Sequence, residues 1–152
     1  MRRANGARFG AIVKLVIMDK RVYVIDGTKF SSLEEFARYF SDVVLEDYQW
    51  GGGLDAFNDI LRGGFGTPLG GYVIRWEDSD LSRRNLGVTE TARWLDEIIS
   101  KCHPTSVPHF EHRLKQVQVG KGETLFDEIV EIIREHGIGG NESMDEVELQ
   151  LL

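Results

Sequence analysis

The hydrophobic pattern of this chain switches between two periods. Ala11 to Met18 and Arg21 to Ile25 ("RVYVI") are short runs dense in Val and Ile, the composition of strands, and "MDK" between them suits a hairpin turn. After the turn residues "DGTKFSS", apolar positions fall at helical spacing: Leu33, Phe36, Ala37, Phe40, then Val43 or Val44. Ser31 or Ser32 can cap this helix, and Glu34 and Glu35 occupy its first turn, where the helix dipole favours them.

A second, shorter helix is predicted over "GLDAFNDILR", with Leu54, Phe57, Ile60 and Leu61 on one face and Gly63, Gly64 and Gly66 ending it. "GGYVIRW", after Pro68, reads as a buried strand. The order strand, helix, helix, strand predicts an α/β layer arrangement with a small, mostly parallel sheet. Ala92, Leu95, Ile98 and Ile99 predict a third helix from Thr89 to about Lys101, with Thr89 as its cap and Glu90 supporting its start. "HPTSVPHFEHRLKQVQVGKG" begins as loop, with Pro104 and Pro108, and is ambiguous afterwards. "ETLFDEIVEIIREHG" is a strongly periodic fourth helix, and "EVELQLL" a closing strand of alternating pattern.

Length sets the scale of this arrangement: 152 residues, 41% hydrophobic, suffice for one domain with its own core. No apolar run approaches the roughly 18 residues of a membrane helix. The opening "MRRANGARFGAIVKLVIMD" lacks the form of a signal peptide, because Lys14 interrupts the apolar run and no small-residue cleavage site follows. A single cysteine, Cys102, suits a reducing compartment, so the expected location is the cytoplasm. The expected organisation is a basic tail with a possible extra strand over 1–21, then one domain over 22–152.

Charge changes the picture more. The net charge is −7, yet the first 21 residues hold six basic groups against Asp19 and stand at +5, leaving −12 on the rest. Such a body does not suit nucleic acid, whose phosphates need clustered Lys and Arg. It fits either a solvated acidic surface or a basic protein partner.

"DYQWGGGLDAFNDILRGGFG" is where that choice becomes specific. Glycines before a helix often cradle phosphate, but two carboxylates beside them would repel it. Asp55 and Asp59 stand four apart, and like charges so placed destabilise a helix by about 0.2–0.5 kcal/mol. The dipole offsets this for Asp55, and Arg62, three residues on, relieves Asp59. The pair is either a solvated face or a preorganised negative patch beside Trp50.

Other chemistry is thin. "GKGET" at Gly120 and "GGFGTPLGG" lack the order of a phosphate loop, so no nucleotide or other cofactor is expected. His109 and His112 are spaced i, i+3, near Cys102 and His103, but neither "HExxH" nor a paired "CxxC" accompanies them. A metal-binding protein using His109 and His112 is the weaker alternative. No serine nucleophile elbow occurs, and Cys102 beside His103 makes no dyad, so no enzyme is expected.

The segment "YVIDGTKFSSLEEFARYF", followed by "WGGGLDAFNDIL", Pro68 and "YVIRW", resembles the barstar family, the intracellular inhibitors of barnase-type ribonucleases. Trp50, Gly51, Leu54, Asp55, Ala56, Asp59 and Gly63 match in register, and Phe57 stands for an apolar Leu. The resemblance is good from Val22 to Trp76 and weaker from Leu125 to Leu152. Residues 87–124 have no counterpart and are expected as an inserted helical and loop segment.

The resemblance implies a three-stranded parallel sheet flanked by helices, with the second helix and its preceding loop as the binding face. It implies that Asp59 enters a ribonuclease active site as a phosphate mimic, with Asp55 as a second acidic contact. The partner would be a basic extracellular-type ribonuclease or a ribonuclease toxin domain, bound without nucleic acid or membrane. Gln49 replaces an aromatic of the family pattern, Gly53 an Asn, Asn58 a Trp and Gly64 a second Trp, while Arg62 adds a charge. A family glutamate near the end of the last helix falls near Glu135 or His136. These departures imply a different target or weaker binding to barnase itself. An interaction module for a non-ribonuclease partner is the other reading of the same fold.

Overall fold

The computed structural model describes residues 20–152. Strands β1 (Val22–Asp26), β2 (Tyr72–Glu77) and β3 (Val147–Leu151) form one sheet in the order β1-β2-β3, all parallel. Val22 pairs with Val73, and Tyr72 with Val147. The first crossover holds α1 (Leu33–Val44) and α2 (Leu54–Ile60). The second holds α3 (Ser79–Asn85), α4 (Val88–Lys101), α5 (Val107–Gln118) and α6 (Leu125–Glu135). The predicted small parallel sheet with flanking helices is therefore observed. The extra strand predicted over Ala11–Met18 lies outside the described residues.

Strand alternation selects the core face. Tyr23, Ile25, Tyr72, Ile74, Trp76 and Val147 turn inward, whereas Val22 and Val24 are exposed. Against the inward face, α1 sends Leu33, Phe36, Ala37, Phe40 and Val44, the stripe its spacing predicted. Val44 takes the buried position, and Val43 is only partly covered. Ser32 is the cap, its side chain accepting from the Glu35 N–H (3.1 Å). Thr124 and Asp127 form a reciprocal capping box at the start of α6. Aromatic rings fill the centre: Phe36 stacks on Trp76 at 5.4 Å, and Trp50 on Phe57 at 4.6 Å.

Two helices were not predicted. α3 arises from "SDLSRRN", too short and polar to carry a hydrophobic stripe. α5 emerges from the ambiguous histidine-rich segment, with Pro108 in its first turn, where no intrahelical donor is needed. It packs on α4 as a helical hairpin joined through residues 102–106. α4 begins at Val88 with Gly87, not Thr89, at the cap. Its buried residues are Glu90, Thr91 and Leu95, while Ile98 and Ile99 stay half-exposed.

Candidate functional site

The loop before α2 is fixed from below. Ser41 Oγ accepts from the Trp50 N–H (2.9 Å) while donating to the Ala37 carbonyl (2.7 Å), tying the loop to α1. Trp50 Nε1–H donates to the Gly53 carbonyl (2.9 Å), and its ring is only 4% exposed. The sequence places Trp50 beside the acidic pair on the binding face that the resemblance implies, but its ring is part of the core. With Phe57, Ile60 and Leu61 also buried, α2 sits on an aromatic and aliphatic bed, and its other face turns outward.

That outer face carries Asp55 and Asp59, both exposed. Arg62 donates to Asp59 (3.1 Å) and to Glu142 (3.0 Å), linking the end of α2 to the turn before β3. Exposed pairs of this kind are worth about 0–1 kcal/mol, so a stronger cationic partner can displace this one at little cost. Asp55 has no ion pair among the described residues.

The other predicted site residues separate into outward and inward groups. Gln49, Gly51 and Gly53 are exposed, and Gln49 Nε2 donates to Asp42 (3.3 Å). Leu54 is half-buried at the edge of the core. Gly63 lies at φ +98°, and a Cβ there would come within 3.1 Å of the Pro68 carbonyl oxygen, so the turn requires glycine. Asn58 turns inward: its amide lies 2.8 Å from His136 Nε2, while His136 Nδ1 lies 2.7 Å from Asp145. Fully buried His136 thus ties α2 to the end of α6 and to the turn before β3. Glu135 accepts the Asn141 N–H (3.0 Å) and closes the loop after α6.

A neighbouring glutamate shares a cleft with α2 instead. The cleft between α2 and α6 has a volume of about 470 Å³, and its lining includes Asp55, Asn58, Glu123, Glu128 and Glu131. Four carboxylates line it, and no Lys or Arg among the described residues does. Glu128 is ion-paired with Arg113 of α5. Glu128, Glu131 and Glu135 recur at i, i+3 and i+7, a polar stripe on α6 that the sequence displays; only the packing of α2 shows which of them flank Asp55.

His109 and His112 are both exposed on α5, and no group of three metal-ligating side chains occurs among the described residues. No helix there is long and apolar enough to cross a membrane. The electrostatics tighten around α4 instead: the hydrogen bond from Lys101 to Glu97 (2.9 Å) holds that carboxyl below its ordinary range.

Fold and surface together define a three-stranded parallel α/β protein that displays carboxylates on a short helix over an aromatic core. The barstar family model, described as barstar (barnase inhibitor), matches residues 20–119, and the chain belongs to the barstar family. The match runs through α4 and α5. No curated protein matches the sequence.

Proposed function

We propose that this protein inhibits a basic ribonuclease of the barnase type, without chemistry of its own, by presenting the carboxylates of α2 to the cations that otherwise hold RNA phosphate. The observation that carries this reading is the acidic cleft: Asp55 on α2 faces Glu123 and Glu131, with Asp59 exposed one turn along. Membership of the barstar family supports the class of partner. Asp59 is the residue proposed to enter the active site, with Asp55 beside it. Gln49, Gly51 and Gly53 are the proposed loop contacts, with Leu54 at the cleft edge. Trp50, Asn58, Gly63 and Glu135 are assigned to holding this surface in shape, and Glu131 takes the acidic contact first expected of Glu135.

Arg62 gives the surface its own character. Its pair with Asp59 must open or be shared when a partner's cations arrive, which selects for a partner of high local positive charge. Cytoplasmic protection of the producing cell is the setting proposed for such an inhibitor.

An inhibition assay against a panel of barnase-type ribonucleases tests the proposal. The wild-type chain is expected to suppress RNA cleavage by at least one of them. Asp59→Ala is expected to weaken that inhibition about 100-fold or more, a range set by the barnase–barstar pair itself. Asp80→Ala, at an exposed position of α3, is the control and should change inhibition less than about twofold. Equal effects of the two substitutions would remove Asp59 from the role given to it.

A further inference from the structure

On the other side of Asp55 lies a larger cleft of about 650 Å³, between the 51–53 loop with the first turn of α2, the start of α1 and the α4–α5 hairpin. Leu54, Trp94, Ile98 and Phe110 give it an apolar floor, and Glu34, Asp55 and Glu97 stand among its lining. It shares Leu54, Asp55 and Glu128 with the acidic cleft, so the two form one groove on either side of the first turn of α2.

The hairpin wall is held by polar staples. Glu90 on α4 accepts the Leu33 N–H at the start of α1 (3.1 Å), and Thr91 Oγ1 accepts the Leu125 N–H at the start of α6 (2.8 Å). Arg93 reaches Glu34 of α1 (2.8 Å) and also pairs with Glu90 and Glu97. Arg113 of α5 lies over the Trp94 ring, 5.2 Å from its centroid, and pairs with Glu128 of α6. A groove fixed in this way is preorganised, so a partner need not meet the cost of ordering it.

Charge decides what it takes. The lining cations already have partners: Lys101 and Arg113 are paired with Glu97 and Glu128. Glu34 and Glu97 are paired as well, with Arg93 and Lys101, so Asp55 is the one lining charge without an ion pair among the described residues. Four lining carboxylates against two cations leave the groove net negative, which favours a cation over an acidic ligand.

We propose that this groove seats a second element of the basic protein partner, a loop in which an aromatic or long aliphatic side chain stands next to Arg or Lys. The apolar side chain rests between Trp94, Ile98 and Phe110, and the neighbouring cation meets Asp55. The identity of the partner as a ribonuclease rests on the inhibitor reading above; the chemistry of the groove does not.

The test has two arms on the full chain. In the first, acetyl-Arg-Trp-Arg-amide is titrated against labelled protein by NMR, with acetyl-Glu-Trp-Glu-amide as the opposite-charge control. The basic peptide is expected to give saturable shifts confined to residues 51–55 and the α4–α5 hairpin, and Ile98→Lys is expected to remove them. No saturable shift, equal response to both peptides, or shifts centred elsewhere would overturn the groove. In the second arm, inhibition of a ribonuclease sensitive to the wild type is expected to weaken about tenfold in Ile98→Lys. The gentler Ile98→Ala should show a smaller loss, while Asp59→Ala should leave the peptide shifts in place. Unchanged inhibition by both Ile98 variants would overturn the groove as a partner contact. Peptide binding with no ribonuclease inhibited by the wild type would defeat the inhibitor reading and leave the groove's chemistry standing.

Discussion

The two walls of the groove, α2 and the α4–α5 hairpin, are held in place by different forces. α2 rests on buried rings and aliphatic side chains, with Trp50 and Phe57 stacked beneath it. The hairpin touches the core through partly buried Trp94 and holds Leu95 and Val117 buried apart from it, but most of its ties to the body are single polar groups: Glu90, Thr91, Arg93 and Arg113. Burial is additive and tolerant of geometry, whereas a buried hydrogen bond is lost whole when one partner goes. The acidic helix should therefore be robust to surface change, and the hairpin should be the wall more readily loosened by a single polar substitution.

Breaking the α2 side costs most. Phe57→Ala removes a fully buried ring from the stack and is expected to destabilise the fold by about 3–5 kcal/mol, read from urea unfolding. A loss under 1 kcal/mol would mean that α2 is not seated on this bed. Thr91→Val tests the other wall. It leaves the Leu125 N–H without its acceptor and should cost about 1–3 kcal/mol. Amide exchange should then quicken across α4 and α5 before α2, and uniform quickening would contradict the separate fastening of the hairpin.

Smaller effects sharpen the contrast at the surface. Arg62→Ala should change stability by no more than about 1 kcal/mol, since both of its ion pairs are exposed. It should also speed association with a sensitive ribonuclease at low salt, and slower association would show that Arg62 is itself a contact. The smallest effect is expected at Asp26, whose carboxylate accepts from both the Oγ1–H (2.6 Å) and the N–H (2.9 Å) of Thr28, bonds that lower its pKa. With a native pKa below the unfolded one, this stabilisation is complete above the ordinary carboxyl value near about 4 and fades as pH falls through the native value. Wild type should therefore exceed Asp26→Asn in urea midpoint at pH 7, with the gap closing towards acid. A gap that widened instead would reverse the assignment.

The same division governs what the sequence disclosed. Leu33, Phe36, Ala37 and Phe40, or Phe57, Ile60 and Leu61, announce their helices because each repeats at helical spacing. Asp55 and Asp59 were legible for the converse reason, being charges on the face left over. Ring orientation was not legible: nothing around Trp50, next to three glycines, shows that its ring stacks on Phe57 while Ser41 and Gly53 take its N–H groups. Asn58 was drawn away from the outer face by His136, 78 positions along the chain. Glu90 and Thr91 were silent too, because a buried polar residue making one long-range hydrogen bond leaves no periodic trace. α5 was obscured by Pro108, by Pro104 just ahead of it, and by a polar face broad enough to mimic a loop.

Competition on a ribonuclease that the chain inhibits tests the phosphate-mimic account most directly. Titration calorimetry of the chain into that enzyme, with and without a saturating mononucleotide, is the measurement. Carboxylates that replace phosphate predict mutual exclusion, with apparent affinity falling in proportion to nucleotide occupancy and the loss disappearing in Asp59→Ala. Undiminished binding to the nucleotide-filled enzyme would contradict the account.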